Sequence, residues 1–383
     1  MAFLQGREGN NGITVVKVGG SLLRDAASYV EAAAKIKELF AEEATSPFIV
    51  VSAVKGVTDA LTQIARGSRE TLNDVIERHL RIAEDLGGSR LFMRVVYELE
   101  SLKKITSFTR HADSVVMDLI WSFGERLSKV IMLSTLELVG VRALELDARD
   151  VIVTDEIHGN ATIDYESTLV NLERVRKQMR DCNAIPVIEG FVGLTTSGEV
   201  STLGRGGSDY TATTIAALLR AETVFLVTNV DGILSSDPEL VPTSRLVRFM
   251  NYDEASEASL HRVKNINPKA FRPLQEVYGS RVMVGSWRVF GTEIESRTRR
   301  CVEGPKVIGG NPTSDPYVAV IGEGVTRGGF VRKVIEVLNS NSLDITGLES
   351  RCGRPSLKIH VRREDWPDTL LVIHRGFIEG ELE

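Results

Sequence analysis

The chain has 383 residues, a formal net charge of −6 and 43% hydrophobic residues. Because one hydrophobic core rarely serves more than roughly 250–300 residues, this length predicts two domains. The acidic balance excludes a broad basic surface for nucleic acid, and no apolar run reaches the about 18 residues of a membrane span. Three cysteines and six histidines show no metal-ligand spacing, and the first residues lack an apolar leader. Together these features predict a cytoplasmic protein without a membrane anchor.

The first predicted strand covers 13–18 (ITVVKV) and ends in a glycine turn at Gly19 and Gly20. Its β-branched run is typical of a buried strand. Lys17 interrupts the apolar run, and a lysine in a buried strand is costly unless it has a partner. Two interpretations stay open at this point: an edge lysine that reaches solvent, or a cation directed at phosphates beside the turn.

The next segments alternate helix and strand. An amphipathic helix is predicted at 26–40 and a second buried strand at 47–52, which opens into a polar loop carrying Ser52 and Thr58. Strand, helix and strand at this spacing predict a parallel sheet covered by helices. The region 67–134 is predicted to be helical.

Within this helical region, Trp121 to Arg126 (WSFGER) breaks the apolar pattern. Glu125 is either a solvated helix carboxylate or the acceptor for the ammonium group of a substrate.

Further buried strands are predicted at 141–146, 184–192 and 223–228. The last of these runs into Asn229 and an Asp231-Gly turn. Ligands in open α/β sheets bind at the carboxyl ends of the strands, so this segment is a candidate ligand loop. A turn that binds nothing is the alternative.

The stretch Thr202 to Ala212 reads TLGRGGSDYTA and precedes a predicted helix at 210–219. A glycine turn that leads into a helix N-terminus favours anions, because free amides and the helix dipole point the same way. Ser208 and Asp209 stand where an N-cap is expected, and Arg205 adds a two-pronged donor for a carboxylate or phosphate. A capped surface loop is the competing interpretation.

After Trp287 the pattern changes. The segment 291–313 has little periodicity and is predicted to be a linker. A compact βαββα run follows over 317–375, and a further strand of this run is either lost or supplied elsewhere.

Glycine turns, the lysines Lys17 and Lys264, and the carboxylates Asp209 and Asp231 are the parts of a phosphoryl-transfer site. The sequence has no nucleophile with a histidine partner, no Walker A pattern and no protein-kinase catalytic loop. The residues alone therefore predict an α/β protein that handles a phosphorylated ligand.

Five ordered motifs resemble those of the aspartate kinases in the amino acid kinase superfamily. They are KVGGS at 17–21, VSAVKGVT at 51–58, SFGE at 122–125, TLGRGGSDYTA at 202–212, and TNVDG with a later DP between Thr228 and Pro238. A sixth segment, Glu257 to Pro268, is matched less well, since Arg262-Val263 stands for Gly-Ala and Asn267 for His.

The resemblance implies a three-layer α/β/α sandwich with a mostly parallel sheet as the catalytic domain over 1–290. A linker over 291–313 and a single α+β, ferredoxin-like ACT domain over 314–383 would follow. The space before 314 is too short for the second ACT unit that most aspartate kinases carry.

The implied reaction transfers the γ-phosphate of ATP to the β-carboxylate of L-aspartate, giving 4-phospho-L-aspartate and ADP, the first step towards lysine, threonine and methionine. The resemblance assigns catalysis to Lys17 and Asp209. It assigns substrate binding to Ser52, Thr58, Glu125, Arg205 and Ser208. It assigns the nucleotide to Lys17, Gly19, Gly20, Ser21, Gly206, Gly207, Thr228, Asn229, Asp231 and Lys264. Mg²⁺ is expected to arrive with ATP and to bind phosphate oxygens, largely through water, without a dedicated protein site.

The resemblance also implies an amino-acid effector at the ACT domain and a homodimer or higher homo-oligomer. Two alternatives remain at this stage. One is a sister kinase that phosphorylates another acceptor, such as acetylglutamate or UMP. The other is a non-catalytic subunit that senses amino acids.

Overall fold

The computed structural model describes residues 13–41, 47–109, 112–261, 267–296, 302–351 and 353–380. These residues divide into two compact units on either side of the Asn229–Val230 bond. Across the described ranges, every helix is too short or too polar to cross a membrane.

The first unit alternates strands and helices. Its strands are β1 (Thr14–Val18), β2 (Pro47–Val51), β3 (Ala143–Glu145), β4 (Val153–Thr154), β5 (Ile185–Glu189), β6 (Val192–Thr195), β7 (Val200–Thr202) and β8 (Thr223–Val227). Its helices are α1 (Ala26–Ile36), α2 (Val57–Ala65), α3 (Arg69–Leu86), α4 (Ser89–Phe108), α5 (Ser114–Leu138), α6 (Ala148–Val151), α7 (Tyr165–Cys182) and α8 (Gly207–Leu219).

The main sheet of this unit is parallel, in the order β3-β5-β2-β1-β8. β2 is buried along its whole length, as expected where helices cover both faces of a parallel sheet. α8 packs on β1 and α5 packs on β5. The predicted mostly parallel α/β sandwich is therefore confirmed.

α8 is buried on every side, from Gly207 to Leu219. Its sequence carries one charged side chain, Asp209, which lies in the first turn. The start of α8 is therefore enclosed by the sheet and the neighbouring elements. A small separate sheet has the order β4-β6-β7. Its last strand, β7, ends at Thr202, and the loop before α8 follows directly.

The strands of the second unit pair in both parallel and antiparallel fashion. These are β9 (Phe249–Asn251), β10 (Arg281–Gly285), β11 (Thr292–Glu295), β12 (Val307–Asn311), β13 (Tyr317–Ile321), β14 (Gly347–Ser350) and β15 (Ser356–His360). Its helices are α9 (Tyr252–Leu260), α10 (Arg272–Glu276), α11 (Gly328–Ser340) and α12 (Trp366–His374).

β12, β13, β15 and β14 form an antiparallel sheet in that order. α11 and α12 contribute to its core, where Leu338 and Ile373 meet Val320 and Ile359. The predicted α+β region after the catalytic half is confirmed in this form.

The prediction of an irregular linker over 291–313 is wrong, because β11 and β12 lie within it. β12 is the strand that the βαββα pattern lacked. Gly309 and Gly310 lower its intrinsic strand propensity, and antiparallel pairing with β13 stabilises it instead. The division into domains at 1–290 and 314–383 stays a prediction.

Candidate active site

Lys17 and Asp209 form a mostly buried ion pair. β1 lies between β2 and β8, so Lys17 belongs to an interior strand, and the edge-lysine interpretation is wrong. Its Nζ lies 2.7 Å from Oδ1 of Asp209 in the first turn of α8, and the two side chains are 14% and 5% exposed. A charge this deep is stable only with a partner. The pair fixes a cation at the carboxyl end of β1.

The loop before α8 is shaped by Gly206, which has φ +69 and acts as the N-cap. A left-handed backbone is strained for other residues, so glycine suits this position. The helix begins at Gly207, three residues earlier than predicted. Ser208 and Asp209 therefore lie within the first turn, and the expectation that they form the N-cap is wrong.

Two of the predicted anion-binding amides are already paired. The Gly19 amide donates to the carbonyl of Val227 at 3.0 Å, and the Gly207 amide donates to the carbonyl of Gly204 at 2.9 Å. In this conformation neither amide is available to a phosphate. Gly19 and its neighbour Gly20 instead allow close packing, since a Cβ on Gly19 would lie 2.8 Å from that Val227 oxygen.

Arg205 is exposed and has no acidic partner within the part of the chain that the structure describes. Its guanidinium is thus available to a ligand carboxylate or phosphate. Ser208 is buried against Gly190, where an added Cβ would lie 2.6 Å from the Ser208 Cβ. This contact fixes the hydroxyl-bearing turn of α8 next to the end of β5.

A buried chain of hydroxyl groups supports Ser52. The Ser128 hydroxyl donates to the Ser52 carbonyl at 2.6 Å and lies 2.6 Å from the hydroxyl of Tyr29. Thr58 lies in the first turn of α2 and is half-buried. Ser52 directly follows the carboxyl end of β2, and Thr58 lies six residues further along the chain.

Glu125 is buried in α5, with 3% of its surface exposed, so the solvated-carboxylate interpretation is wrong. Its Oε2 has no hydrogen-bond partner among the described residues. Burial raises the pKa of Glu125 to about 8, the nearby Glu189 carboxylate adds to the rise, and a hydrogen bond with the Ala53 backbone opposes it. A cationic ligand group beside the unused oxygen would favour the ionised form of Glu125 and pair with it.

Glu125→Gln should raise the melting temperature at pH 8.5 and change it little at pH 4. The folded-state pKa of about 8 exceeds the ordinary value of 4.5, so the folded protein loses stability as pH rises between those values. Glutamine removes this penalty, and each kcal/mol regained corresponds to roughly 2–4 °C. Thermal unfolding of both proteins across this pH range measures the gap.

Glu137→Gln is the matched control, because Glu137 lies exposed on the same helix. A melting-temperature gap for Glu125→Gln that stays constant with pH would contradict the buried-carboxylate account.

The ends of β1 and β8 bring two predicted nucleotide residues together. The hydroxyls of Ser21 and Thr228 lie 3.4 Å apart, and Thr228 donates to the exposed Asn229 at 3.4 Å. In the second unit, Asp231 accepts a hydrogen bond from the Ser286 hydroxyl at 2.6 Å. Lys264 lies outside the described residues.

The sequence did not single out three further buried charges. Lys129 donates to the Leu146 carbonyl at 2.8 Å and pairs with Glu189 at 2.7 Å. Asp118 is wholly buried and accepts hydrogen bonds from both backbone and side chains. A charged residue within an apolar helix or at the end of an apolar strand was the available signal.

Comparison with known proteins gives one family and a set of similar sequences. Residues 12–286 match the amino acid kinase family. Aspartokinase 1, chloroplastic, of Arabidopsis thaliana is 32% identical over 280 residues, which are 69% of this chain and 48% of that protein. The aspartokinase of Chlamydia trachomatis is 29% identical over 302 residues, 76% of this chain and 67% of that protein.

The chain spans about half the length of several of these curated relatives. Among solved structures, E. coli aspartokinase III in complex with aspartate and ADP superposes with a TM-score of 0.85. That alignment has 20% identity and covers 96% of this chain and 100% of that one, which shows a shared fold. Because the family match extends over most of the sequence and the parallel sheet agrees with it, the chain belongs to the amino acid kinase family.

Proposed function

We propose that this protein is an aspartate kinase, which transfers the γ-phosphoryl group of ATP to the β-carboxylate of L-aspartate. The observation that carries the proposal is Glu125, a buried carboxylate whose Oε2 has no partner among the described residues. An α-amino acid offers an ammonium group to such an acceptor. Its α-carboxylate would bind Arg205, and Ser52, Thr58 and Ser208 would supply hydroxyl contacts.

The chemistry needs little from the protein beyond charge and position. The β-carboxylate is ionised at neutral pH and is itself the nucleophile, so no general base is required. Lys17 would neutralise charge on the transferring phosphoryl group, and Asp209 would hold the ammonium group of Lys17 in place. Ser21, Gly20, Gly206, Thr228, Asn229, Asp231 and Lys264 would contact the nucleotide. Gly19 and Gly207, whose amides are already paired, would shape the nucleotide site by allowing close packing of the backbone.

Mg²⁺ fits this site as an ion bound to ATP. Among the described residues, no group of three or more His, Cys, Asp or Glu side chains could hold a metal ion. Mg²⁺ prefers phosphate oxygens and keeps several of its waters, so it would arrive with ATP. It would neutralise charge on the nucleotide phosphates.

The antiparallel sheet of the second unit resembles an ACT domain in its βαββα order, with β12 as an added strand. We therefore propose that it binds an amino-acid effector and that the chain forms a homodimer or higher homo-oligomer. Inhibition assays with lysine, threonine and methionine, together with the mass of the assembly in solution, test this proposal.

Coupled measurement of ADP release with Mg-ATP and a panel of acceptors tests the function. L-aspartate should support turnover, whereas N-acetyl-L-aspartate, which lacks the ammonium group, should not. Preference for acetylglutamate or UMP would favour a sister kinase. A chain that binds amino acids without releasing ADP would be a sensing subunit.

A further inference from the structure

Asp118 in α5 is a buried hydrogen-bond acceptor with donors on two other segments. Its Oδ2 accepts from His158 Nδ1 at 2.9 Å, from the Gly159 amide at 2.9 Å and from the Thr202 amide at 3.0 Å. Its Oδ1 accepts from the Thr202 hydroxyl. The side chain is 0% exposed. One carboxylate therefore joins α5, the segment 158–161 and the end of β7.

These contacts lie at the base of the loop that carries Arg205. Thr202 is the first residue of the TLGRGGSDYTA stretch, and its carbonyl accepts the Ala161 amide at 2.9 Å. Gly204 packs so closely on Asn160 that an added Cβ would lie 3.1 Å from Oδ1 of that side chain. The loop between β7 and α8 is thus held at its first end by Asp118 of α5 and at its other end by the buried start of α8.

Asp118 and Glu125 stand seven residues apart on the same helix. At 3.6 residues per turn this spacing is close to two full turns, so both side chains leave the same face of α5. We propose that Asp118 is a positioning residue that fixes the Arg205 loop against α5, so that Glu125 and Arg205 bind the α-ammonium and α-carboxylate groups of one amino acid. This inference rests on the proposed function.

The chemistry of the contact favours positioning over simple packing. A buried carboxylate costs free energy that an apolar side chain of similar volume would avoid. Its donors are two backbone amides, a hydroxyl and an imidazole, each with a defined direction. Directed bonds to a charged acceptor are stronger than neutral ones and restrict geometry. The arrangement therefore holds a loop at a set distance from the helix.

Asp118→Asn tests the inference, because asparagine keeps the shape but replaces one accepting oxygen with a donor. Thr202→Val is a second variant, which removes one donor and leaves the carboxylate in place. Asp113→Asn is the control, since Asp113 caps the same helix and asparagine caps equally well. Hydrogen exchange of the 202–207 amides and steady-state kinetics are measured for each protein.

We expect faster exchange over 202–207 in Asp118→Asn and a smaller increase in Thr202→Val. The KM for aspartate should rise about tenfold, which corresponds to about 1.4 kcal/mol, while kcat and the KM for ATP stay near their original values. Unchanged exchange, or equal losses in all kinetic constants, would overturn the assignment. Wild-type protein without aspartate-dependent ADP release would defeat the proposed function alone, and the exchange data would still decide the role of Asp118.

Discussion

Replacing Lys17 by alanine should lower kcat about 10²–10³-fold, the usual effect of removing one preorganised donor from a transition state. The ammonium group lies at the carboxyl end of β1, 2.7 Å from Asp209. The phosphoryl group in transfer interacts more strongly with a cation than the bound substrate does. The loss of Lys17 should therefore lower kcat. A rise in the KM for ATP without a change in kcat would mean that Lys17 binds ground state and transition state equally.

The same substitution leaves Asp209 buried without its counter-charge, which costs about 3–5 kcal/mol of stability in comparable pairs. Lys17→Met combined with Asp209→Asn removes both charges and separates the loss of activity from the loss of stability. Lys35→Ala is the control, because Lys35 pairs with Glu38 at the same distance but on an exposed surface. Melting temperatures and ADP release are recorded for all variants.

Arg205→Ala should lower kcat/KM for aspartate, because it removes a two-pronged, charge-assisted contact. The fall should correspond to a loss of about 2–4 kcal/mol of transition-state binding. Stability should barely change, since Arg205 is exposed and makes no ion pair within the described part of the chain. Arg205→Lys should recover little of the loss, because an ammonium group lacks the fork geometry. Steady-state kinetics with aspartate as the varied substrate give these values.

Arg174→Ala serves as the control, because Arg174 lies exposed on the surface of α7. An unchanged kcat/KM for aspartate in Arg205→Ala would refute its role as the carboxylate receptor.

Local sequence patterns were sufficient for the parallel sheet, but they left open whether Lys17 lies on an edge strand or an interior one. The run at β1 is largely apolar and β-branched, which is typical of a buried strand, and the glycine turn after it marks the carboxyl end. The resemblance assigns catalysis to both Lys17 and Asp209, but no local pattern predicts their ion pair, because the two residues lie 192 positions apart in the sequence. Long-range ion pairs leave no local pattern.

Other features depend on tertiary contacts that a single sequence does not display. α8 starts at Gly207, because Gly206 adopts a left-handed conformation that ends the preceding turn. β12 forms through pairing with β13 despite Gly309 and Gly310. The apolar surroundings of Asp118 in α5 could have indicated burial, but its partners on β7 and the segment before α7 are distant in the sequence and leave no local pattern.

Trapping of the product with hydroxylamine tests the central claim most directly. An acyl phosphate reacts with hydroxylamine to give a hydroxamate, so incubation with Mg-ATP and L-aspartate should yield one β-hydroxamate of aspartate for each ADP released. Release of ADP without hydroxamate, or hydroxamate formation that does not depend on aspartate, would contradict the proposal that the β-carboxylate of aspartate is the phosphoryl acceptor.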